Sequence, residues 1–366
     1  MRILLVARVY WPNIGGIERH VQWLGEALLA RGHEVRVVTL DRAFEDGRAL
    51  PPEEVHNGIH IRRLPFWGST RYPIAPTVLR EVRDADVVHV HAVDFLADWL
   101  VATRPIHRRP VVLSTHGGFF HTGFATRAKQ VWFQTMTRLL VRGVDALVYT
   151  SDQDEELFRK LTTRGQVIRN AVDLAPWQAL HREPAAGELV TLGRVDVHKG
   201  IGNLLRTLAA LRDRDPRPFR ARVIGPEVVP GLVARLSAER DALGLAERVV
   251  FEGKVPEATM FEAVRTAELG LWPAEYESFG ISVVETMGAG LYPILNDNRA
   301  FRYFVEGGSG TLTAFADPAR AAADIATARD RLDRNEAPTR KKAEQYGWAQ
   351  VIGELEALYA RVAKRD

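Results

Sequence analysis

The sequence has no cysteine among its 366 residues. Neither disulfide bonds nor thiolate catalysis are therefore open to it, which fits a reducing compartment. It also lacks an uninterrupted apolar run near the roughly 18 residues that a bilayer-spanning helix needs, so we do not expect it to cross a membrane. The first apolar run is broken by Arg8 and no small-residue cleavage site follows. We interpret it as a core strand and not as a signal peptide.

Basic residues are concentrated in one stretch, although the net charge of the chain is only +3. Residues 104–142 contain seven lysines and arginines and no acidic residue. Aromatic residues are interleaved with them: Phe119, Phe120, Phe124, Trp132 and Phe133. This composition suits the anionic surface of a membrane; the alternative is a buried strand and helix whose charges face water. A basic excess this small and local does not indicate nucleic-acid binding.

Apolar runs of strand length alternate with helical patterns along the whole chain. The predicted strands are 2–7, 34–40, 59–64, 86–91, 110–115, 145–151 and 165–170, then 189–194, 219–225, 248–253, 268–273 and 291–296. The alternation is typical of an α/β fold with doubly wound parallel sheets. Because the chain has 366 residues, of which 46% are hydrophobic, and domains average roughly 150 residues, we expect two Rossmann-like domains.

A segment rich in proline, glycine and charge, residues 174–188, separates the two series of strands and is predicted to be an interdomain linker. We therefore predict a first domain over 1–174, a second over 175–347, and a C-terminal helix over 348–366 whose apolar residues recur at helical spacing. In parallel sheets, ligands bind at the carboxyl ends of the strands. The loops that follow the strands are thus the candidate functional segments.

Two candidate loops lie in the first half. Gly15 and Gly16 follow the first strand, where their amides can approach a ligand at the start of a helix; a purely structural tight turn is the alternative. They do not form G-x-G-x-x-G, which disfavours a nicotinamide dehydrogenase. His116 lies where the fifth strand ends. A histidine there is more often exposed or capping than catalytic, but its place at a strand's carboxyl end makes it a candidate.

The first loop of the second half carries two cations. Arg194 ends a strand and Lys199 opens a helix, and Gly193 and Gly200 flank the pair. Both cations can converge on the helix N-terminus, where they and the helix amides would offset the charge of a diphosphate without a metal. The alternative is solvated surface charge.

A later loop, "EYESFGISVVETMGAG", holds Glu277 and Glu285 eight positions apart. We expect Glu277 in the loop and Glu285 inside the following helix. The helix would separate the two carboxylates, which makes them poor joint ligands of a metal. They are well placed to bind different hydroxyl groups of one elongated ligand.

Several motifs together resemble the retaining glycosyltransferases of family four. They are "GGIERHVQWLGEALLARGHEVRVVT", "VIRNAVDL", "LGRVDVHKG" and "PAEYESFGISVVETMGAG", and they fall in the family's order. The resemblance covers essentially the whole chain. It implies the GT-B fold, in which two Rossmann-like domains face each other across a cleft and the C-terminal helix crosses back to the first domain. It also implies that the first domain binds the acceptor, that the second binds the nucleotide-diphosphate sugar, and that the sugar passes to an acceptor hydroxyl with retention.

The same resemblance implies roles for the residues of the second domain. Arg194 and Lys199 would neutralise the diphosphate of the nucleotide sugar. Glu285 would bind the ribose hydroxyls, and Glu277 would contact hydroxyls of the transferred sugar as a catalytic residue. Three amides would complete the sugar pocket: those of Phe279, Gly280 and Ile281.

Further contacts are implied elsewhere. Gly15 and Gly16 would approach the diphosphate from the first domain, and His116 would lie beside the sugar and the reacting centre as the second catalytic residue. Backbone groups from Gly253 to Val255 would contact the nucleobase.

Three D-x-D strings could suggest a metal: 84–86, 152–154 and 213–215. We interpret all three as structural and predict that no metal or other cofactor is needed. The stretch "STHGGFFHT" is similar to one found in mannosyltransferases that extend polyprenyl-diphosphate-linked oligosaccharides in bacterial exopolysaccharide assembly. It implies GDP-mannose as donor and a lipid-linked glycan as acceptor. With residues 104–142, it also implies a cytoplasmic protein held peripherally on the inner face of the plasma membrane.

Other functions remain open at this point. One is a UDP-sugar-dependent glycosyltransferase with another acceptor, and a second is an epimerase or phosphorylase of the same fold. A third is a nucleotide-sugar-binding protein without transfer activity. Against the third, all five residues with implied chemical roles are present: His116, Arg194, Lys199, Glu277 and Glu285.

Overall fold

The computed structural model describes residues 1–13, 15–44, 46–69, 72–116, 133–162, 164–277, 279–331 and 336–364. The chain divides into two compact units. Unit 1 comprises Met1–Ala171 and Trp348–Asp366, and unit 2 comprises Val172–Gly347.

Unit 1 is built on an eight-stranded sheet. The strands of this unit are β1 (Arg2–Ala7), β2 (Glu34–Leu40), β3 (Glu53–His56), β4 (Ile59–Leu64), β5 (Trp67–Ser69), β6 (Tyr72–Ile74), β7 (Val87–His91), β8 (Val111–Ser114), β9 (Ala146–Tyr149) and β10 (Gly165–Val167). The sheet has the order β10-β9-β8-β7-β1-β2-β4-β3, and β5 and β6 form a separate hairpin. All neighbours in the large sheet are parallel except β3, which pairs antiparallel with β4. Every residue of β7 and β8 is buried, as expected of parallel strands that are covered on both faces.

Unit 2 is built on a six-stranded parallel sheet. Its strands are β11 (Glu188–Leu192), β12 (Arg220–Ile224), β13 (Val249–Gly253), β14 (Leu269–Trp272), β15 (Pro293–Asn296) and β16 (Thr311–Thr313). The order β13-β12-β11-β14-β15-β16 is the doubly wound order in which the chain reverses direction across the sheet between the first and fourth strands. Ligands of such sheets bind where the order reverses, which here is the edge where β11 and β14 end.

Helices cover both sheets. Those of unit 1 are α1 (Gly16–Ala30), α2 (Val78–Glu81), α3 (Phe95–Ala102), α4 (Arg104–His107), α5 (Arg138–Gly143) and α6 (Asp152–Phe158), with a π-helical turn at Phe133–Thr137. Those of unit 2 are α7 (Ala175–Gln178), α8 (Ile201–Arg214), α9 (Leu232–Ala242), α10 (Glu257–Thr266), α11 (Ile281–Gly288), α12 (Pro318–Arg331) and α13 (Ala337–Glu344), with 3-10 turns at Val197–Lys199, Phe301–Phe304 and Glu306–Gly308. The last helix, α14 (Trp348–Ala363), belongs to unit 1. No helix in the described ranges is long and apolar enough to cross a membrane.

The amphipathic helix α14 completes one core layer of unit 1. Its buried side chains include Leu355, Leu358 and Tyr359, which join Val21 and Leu24 of α1 in a single apolar cluster against the sheet. Packing of such an apolar face stabilises a helix in a protein more than its intrinsic propensity does. The helix therefore fixes the surroundings of β7, which it also contacts.

The predicted α/β fold is confirmed, and every predicted strand is present with bounds that differ by at most three residues. The pattern did not reveal β3, β5, β6 and β16. Each of these has only three or four residues, too few for a period to stand out. The segment predicted as a linker packs on unit 2: Trp177 is buried there, and Arg182 donates hydrogen bonds to the carbonyls of Val264 and Gly290.

Candidate functional site

The loop after β11 is shaped by two glycines and a capped turn. Gly193 has φ +147°, and the side chain of Asp196 caps the short 3-10 turn Val197–Lys199 by accepting from the amide of Val197. Gly200 has φ +66°, and a Cβ atom there would lie 2.3 Å from the carbonyl oxygen of Pro273. Only glycine combines this backbone conformation with so close an approach. The β11 and β14 loops can therefore touch, which brings Lys199 to the place where the strand order reverses.

Glu277 lies in the neighbouring loop after β14, and its carboxylate accepts a hydrogen bond from the Lys199 ammonium at 2.5 Å. The backbones of the two loops are tied as well, because the amide of Glu275 donates to the carbonyl of His198 at 3.0 Å. A second tie runs from Asn203 Nδ2 to Glu275 Oε1 at 2.9 Å. The sequence-predicted cation and the sequence-predicted glutamate, 78 positions apart, thus form one ion pair.

The helix that follows, α11, begins at Ile281 behind Gly280, whose φ is +101°. A Cβ atom on Gly280 would lie 2.9 Å from the Phe301 ring, so the turn is closed against the core. The first amides of an α-helix have no partner within the helix, and those of Phe279, Gly280 and Ile281 lie at this N-terminus. Such amides carry partial positive charge and suit an anion or a sugar oxygen.

Glu285 lies in the second turn of α11 and is half-buried. The start of the same helix is fixed to the end of β11, because Ser282 Oγ donates to the carbonyl of Leu192 at 2.9 Å. Trp272 Nε1, at the end of β14, donates to the same carbonyl at 3.1 Å. Glu285 and the Lys199–Glu277 pair therefore belong to the same edge of the unit 2 sheet.

Three further predicted positions of unit 2 differ in their surroundings. Arg194 is exposed and lies in the loop after β11, beyond the last strand residue, Leu192. Gly253 ends β13 with φ +66°, and its carbonyl accepts from the amide of Gly225 at 2.8 Å. Val255 is half-buried against the apolar core of the unit.

In unit 1, Gly15 and Gly16 stand at the N-terminus of α1, where a side chain that the sequence analysis did not single out also lies. A Cβ atom on Gly15 would come within 2.2 Å of the Glu18 carboxylate, which thus covers the positive end of the helix. Burial raises the pKa of Glu18. The sequence signal was available, because a glutamate at the third helical position is the acidic half of a capping box.

His116 follows β8 in a strained conformation, with φ +47° for a residue that has a Cβ atom. Such residues are uncommon and gather at functional sites. Its Nε2 shares a hydrogen bond of 2.9 Å with Nδ1 of His91, which ends β7. Burial first, and the neighbouring His20 and His89 next, hold the pKa of His116 well below its ordinary value. His116 is therefore a neutral imidazole at pH 7.

Three more histidines surround His116, and none was identified from the sequence. His20 on α1 has its ring centroid 5.1 Å from that of His116, and the ring centroids of His89 and His91 on β7 lie 4.2 Å apart with the rings tilted by 34°. Burial lowers the pKa of His20 to about 4 and that of His89 to about 3. A ring nitrogen of each of His20, His91 and His116 lies within 4.8 Å of the others, so these three could hold a metal ion. The only hint was the alternation in "VVHVH", which places both of its histidines on one face of the strand.

One carboxylate of each D-x-D string has structural partners. Asp86 accepts from the backbone amide and guanidinium of Arg2. Asp154 accepts from Thr115 Oγ1 and Thr150 Oγ1, and Asp215 pairs with Arg217.

The basic segment 104–142 is described only in part, since residues 117–132 lie outside the described ranges together with four of its five aromatic residues. In the rest, Ile106 on α4 is 72% exposed and Leu139 on α5 is 65% exposed. Arg108, Arg138 and Arg142 are exposed near them in the chain. Helices α4 and α5 both pack against α3.

Two models of known protein families together match most of the chain. The profile of Glycosyltransferase Family 4 matches residues 14–176, and that of Glycosyl transferases group 1 matches residues 181–347. The chain is 37% identical to a GDP-mannose:cellobiosyl-diphosphopolyprenol alpha-mannosyltransferase of Xanthomonas campestris, over 96% of this chain and 95% of the relative. It is 33% identical to a protein of the same name from Komagataeibacter xylinus, over 100% of this chain and 94% of the relative.

Among solved structures, sucrose-phosphate synthase from Thermosynechococcus elongatus superposes with a TM-score of 0.75 at 19% identity, covering 100% of both chains. A likeness at 19% identity shows the fold alone. The fold is that of the GT-B glycosyltransferases, as the sequence motifs imply.

Proposed function

The chain belongs to glycosyltransferase family 4, a family of retaining enzymes, and from this premise we propose that it transfers mannose from GDP-mannose to a sugar hydroxyl of cellobiosyl-diphosphopolyprenol. The observation that carries the proposal is 37% identity over 96% of the chain to an enzyme with that name. Mannose is α-linked in GDP-mannose, so retention yields an α-mannoside. The product would be a lipid-linked trisaccharide for a cell-surface polysaccharide.

The Lys199–Glu277 pair supports a donor site in unit 2. Lys199 would contact the diphosphate, and Glu277 would contact hydroxyls of the mannose. Because the ion pair already holds the ammonium in place, little reorganisation is needed when the donor binds. Arg194, which is exposed, would add the second positive charge, and Glu285 would bind the ribose.

The reaction itself needs charge stabilisation at the leaving group. As the anomeric C–O bond breaks, negative charge builds on the GDP diphosphate, and Lys199, Arg194 and the first amides of α11 would stabilise it more in the transition state than in the ground state. The proposed transfer involves no covalent nucleophile of the protein. Glu277 would position the sugar, since its charge is already paired with Lys199.

For the remaining predicted residues we propose the roles that the family implies. The backbone of Gly15 and Gly16 would approach the diphosphate, which requires the Glu18 carboxylate to move from the α1 N-terminus. His116, a neutral imidazole, would lie beside the mannose as hydrogen-bond partner. Backbone groups from Gly253 to Val255 would contact the guanine.

We further propose that transfer requires no divalent cation, because two cationic side chains and a helix N-terminus supply the positive charge that a metal gives to diphosphate chemistry elsewhere. Activity should survive exhaustive treatment with EDTA. Loss of activity that Mg²⁺ or Mn²⁺ restores would overturn this part.

We propose that unit 1 lies against the anionic inner face of the plasma membrane through α4 and α5. Exposed Ile106 and Leu139 would enter the interface while Arg108, Arg138 and Arg142 bind headgroups. The wild-type protein should pellet with vesicles that contain anionic lipid at low salt, and L139E should weaken pelleting. The matched control is V228E, because Val228 is also exposed (44%) but belongs to unit 2. Equal pelleting of both variants would count against this surface.

The donor is tested by thermal unfolding with GDP, UDP and ADP and with their mannose or glucose conjugates. A ligand at about 100 times its Kd adds about 2.7 kcal/mol of stability, which a melting curve resolves. We expect the shift with GDP and GDP-mannose only, reduced in K199A and unchanged in K341A, a control on the exposed Lys341 of α13. A shift confined to UDP ligands would overturn the mannose donor while leaving the diphosphate site.

The acceptor is tested by incubating the protein with GDP-mannose and synthetic cellobiosyl-diphosphopolyprenol. Mass spectrometry should show the addition of one hexose, and proton NMR of the released glycan should show an α-anomeric signal. Free cellobiose is the control for the lipid requirement. Hydrolysis of GDP-mannose without a trisaccharide product would refute the proposed acceptor.

A further inference from the structure

Three histidines from different elements of unit 1 meet at one point. His20 comes from α1, His91 ends β7, and His116 follows β8. One ring nitrogen from each lies within 4.8 Å of the other two. We refer to these residues as the three-histidine cluster.

Two nitrogens of the cluster are buried with no hydrogen-bond partner among the described residues. They are Nδ1 of His20, in a residue 7% exposed, and Nε2 of His91, in a residue 1% exposed. Buried polar atoms are partnered in the great majority of cases, and an exception calls for an ion, a water or a functional explanation. The neighbouring His89 differs, because its two nitrogens are bonded to Tyr359 Oη at 2.6 Å and Ser114 Oγ at 2.7 Å. His89 is therefore no ligand, and the set of available imidazoles is three.

From this arrangement we propose that the three-histidine cluster binds one transition-metal ion of the Zn²⁺ class. Three imidazoles with an open fourth position form a known coordination set for zinc. Neutral imidazole is the form that binds metals, and no carboxylate belongs to the cluster, which disfavours the hard ions Mg²⁺ and Ca²⁺. The histidines are supplied by sheet and helix, which hold two of them rigidly.

Binding of a metal ion fixes the distances between the ring nitrogens of the cluster. With a metal–nitrogen distance of about 2.0 to 2.1 Å, nitrogens of a tetrahedral site lie about 3.4 Å apart, so any pair near the 4.8 Å limit of the cluster must come closer when a metal binds. His116 is the half-buried member, on a loop after its strand, so its imidazole can swing toward the ion. In doing so it gives up its hydrogen bond to His91 Nδ1, and the metal replaces that contact.

Metal binding at the three-histidine cluster should affect mannose transfer, an expectation that rests on the proposed function. A bound ion would take His116 away from the mannose, so micromolar Zn²⁺ should inhibit transfer and EDTA should reverse the inhibition. The metal is thus an inhibitor and no cofactor, which agrees with the proposed activity in EDTA.

The test uses Co²⁺ as a spectroscopic substitute for Zn²⁺ on the full chain stripped with EDTA. We expect one equivalent of Co²⁺ to give the strong visible bands of a tetrahedral nitrogen site, and one equivalent of Zn²⁺ to displace them. H20Q and H116Q should each lose the bands, whereas H60Q, a change at an exposed histidine of β4, should keep them.

Several results would overturn the proposal: absence of the bands in the wild type, their persistence in both cluster variants, or their loss in H60Q. Circular dichroism checks folding, and if H20Q fails to fold, the half-buried H116Q carries the test alone. The outcome is separable from the proposed function. Bands that depend on the cluster, together with transfer that Zn²⁺ does not affect, would keep the metal site and refute the role of His116 beside the sugar.

Discussion

Replacing Tyr359 by phenylalanine removes one hydroxyl group that joins the last helix to the sheet of unit 1. Tyr359 Oη lies 2.6 Å from Nδ1 of His89, and both side chains are 0% exposed. Burial lowers the pKa of His89 to about 3, so the imidazole is neutral at pH 7 and needs a donor at one nitrogen and an acceptor at the other. In Y359F, Nδ1 loses its partner in a side chain that is fully buried.

The cost follows from that unsatisfied nitrogen. A buried polar group that loses its partner costs about 1 to 3 kcal/mol. The matched control is Y10F, because the Tyr10 hydroxyl is buried without a partner in the described part of unit 1. Removing a hydroxyl that makes no bond should cost about 0 kcal/mol or stabilise slightly. The two variants delete the same atom from the same unit, so their difference isolates the hydrogen bond.

The assay is urea unfolding, followed by amide hydrogen exchange of β7 and β8, because two units can unfold in separate transitions and a single midpoint would then mislead. We expect Y359F to be less stable than Y10F by about 1 to 3 kcal/mol, which is about 2 to 4 °C of melting temperature per kcal/mol for a unit of this size. Equal stabilities of Y359F and Y10F would refute the reasoning.

Three further predictions concern both units. K199A should lower kcat/KM for GDP-mannose by about 10²- to 10³-fold, the usual effect of removing a group that stabilises developing charge, whereas K341A should leave it unchanged. Steady-state kinetics measures both variants, and equal kcat/KM values for K199A and K341A would contradict the diphosphate role of Lys199. G200A should destabilise unit 2 by more than about 1 kcal/mol in urea unfolding, because its φ is +66° and a neighbouring carbonyl oxygen lies 2.3 Å from the added Cβ; wild-type stability would rule the close approach out. Stability should fall as the pH drops from 6.5 to about 4, because unfolded His20 takes up a proton there and folded His20, with its pKa lowered to about 4, does not. The loss from this group is about 3 kcal/mol. His89, His91 and His116, whose pKa values are also lowered, act in the same direction, while Asp94, whose pKa is raised to about 6, opposes them. H20N should therefore reduce the slope of stability against pH without abolishing it, and an unchanged slope would contradict the assignment.

The candidate residues of the unit 2 loops were predictable from the sequence, because the features that mark them lie within a few residues of the chain. Gly200 and Gly280 each need a positive φ, and a glycine is visible in any sequence. The cation Lys199 and the carboxylate Glu277 each follow a strongly apolar strand, so the rule that ligands bind at the carboxyl ends of parallel strands was enough to select them. Their hydrogen bond was not predictable, since 78 positions separate them and strand order decides which loops are neighbours.

By contrast, the sequence did not identify His20, His89 and His91 as neighbours of His116. His20 on α1 looks like any polar residue of an amphipathic helix, and His89 and His91 look like interruptions of a strand. Only the parallel order β8-β7-β1 brings them next to His116, and only the packing of α14 brings Tyr359 to His89.

By itself, the sequence determined the alternation of strands and helices, the two-fold repetition of that pattern and the loops in which the candidate residues lie, because periodicity and glycine geometry act over a few residues. The tertiary structure alone decided which loops touch, which polar atoms are left without partners, and which imidazoles are neutral. Those properties depend on burial and on contacts between segments far apart in the chain, and no local pattern encodes them.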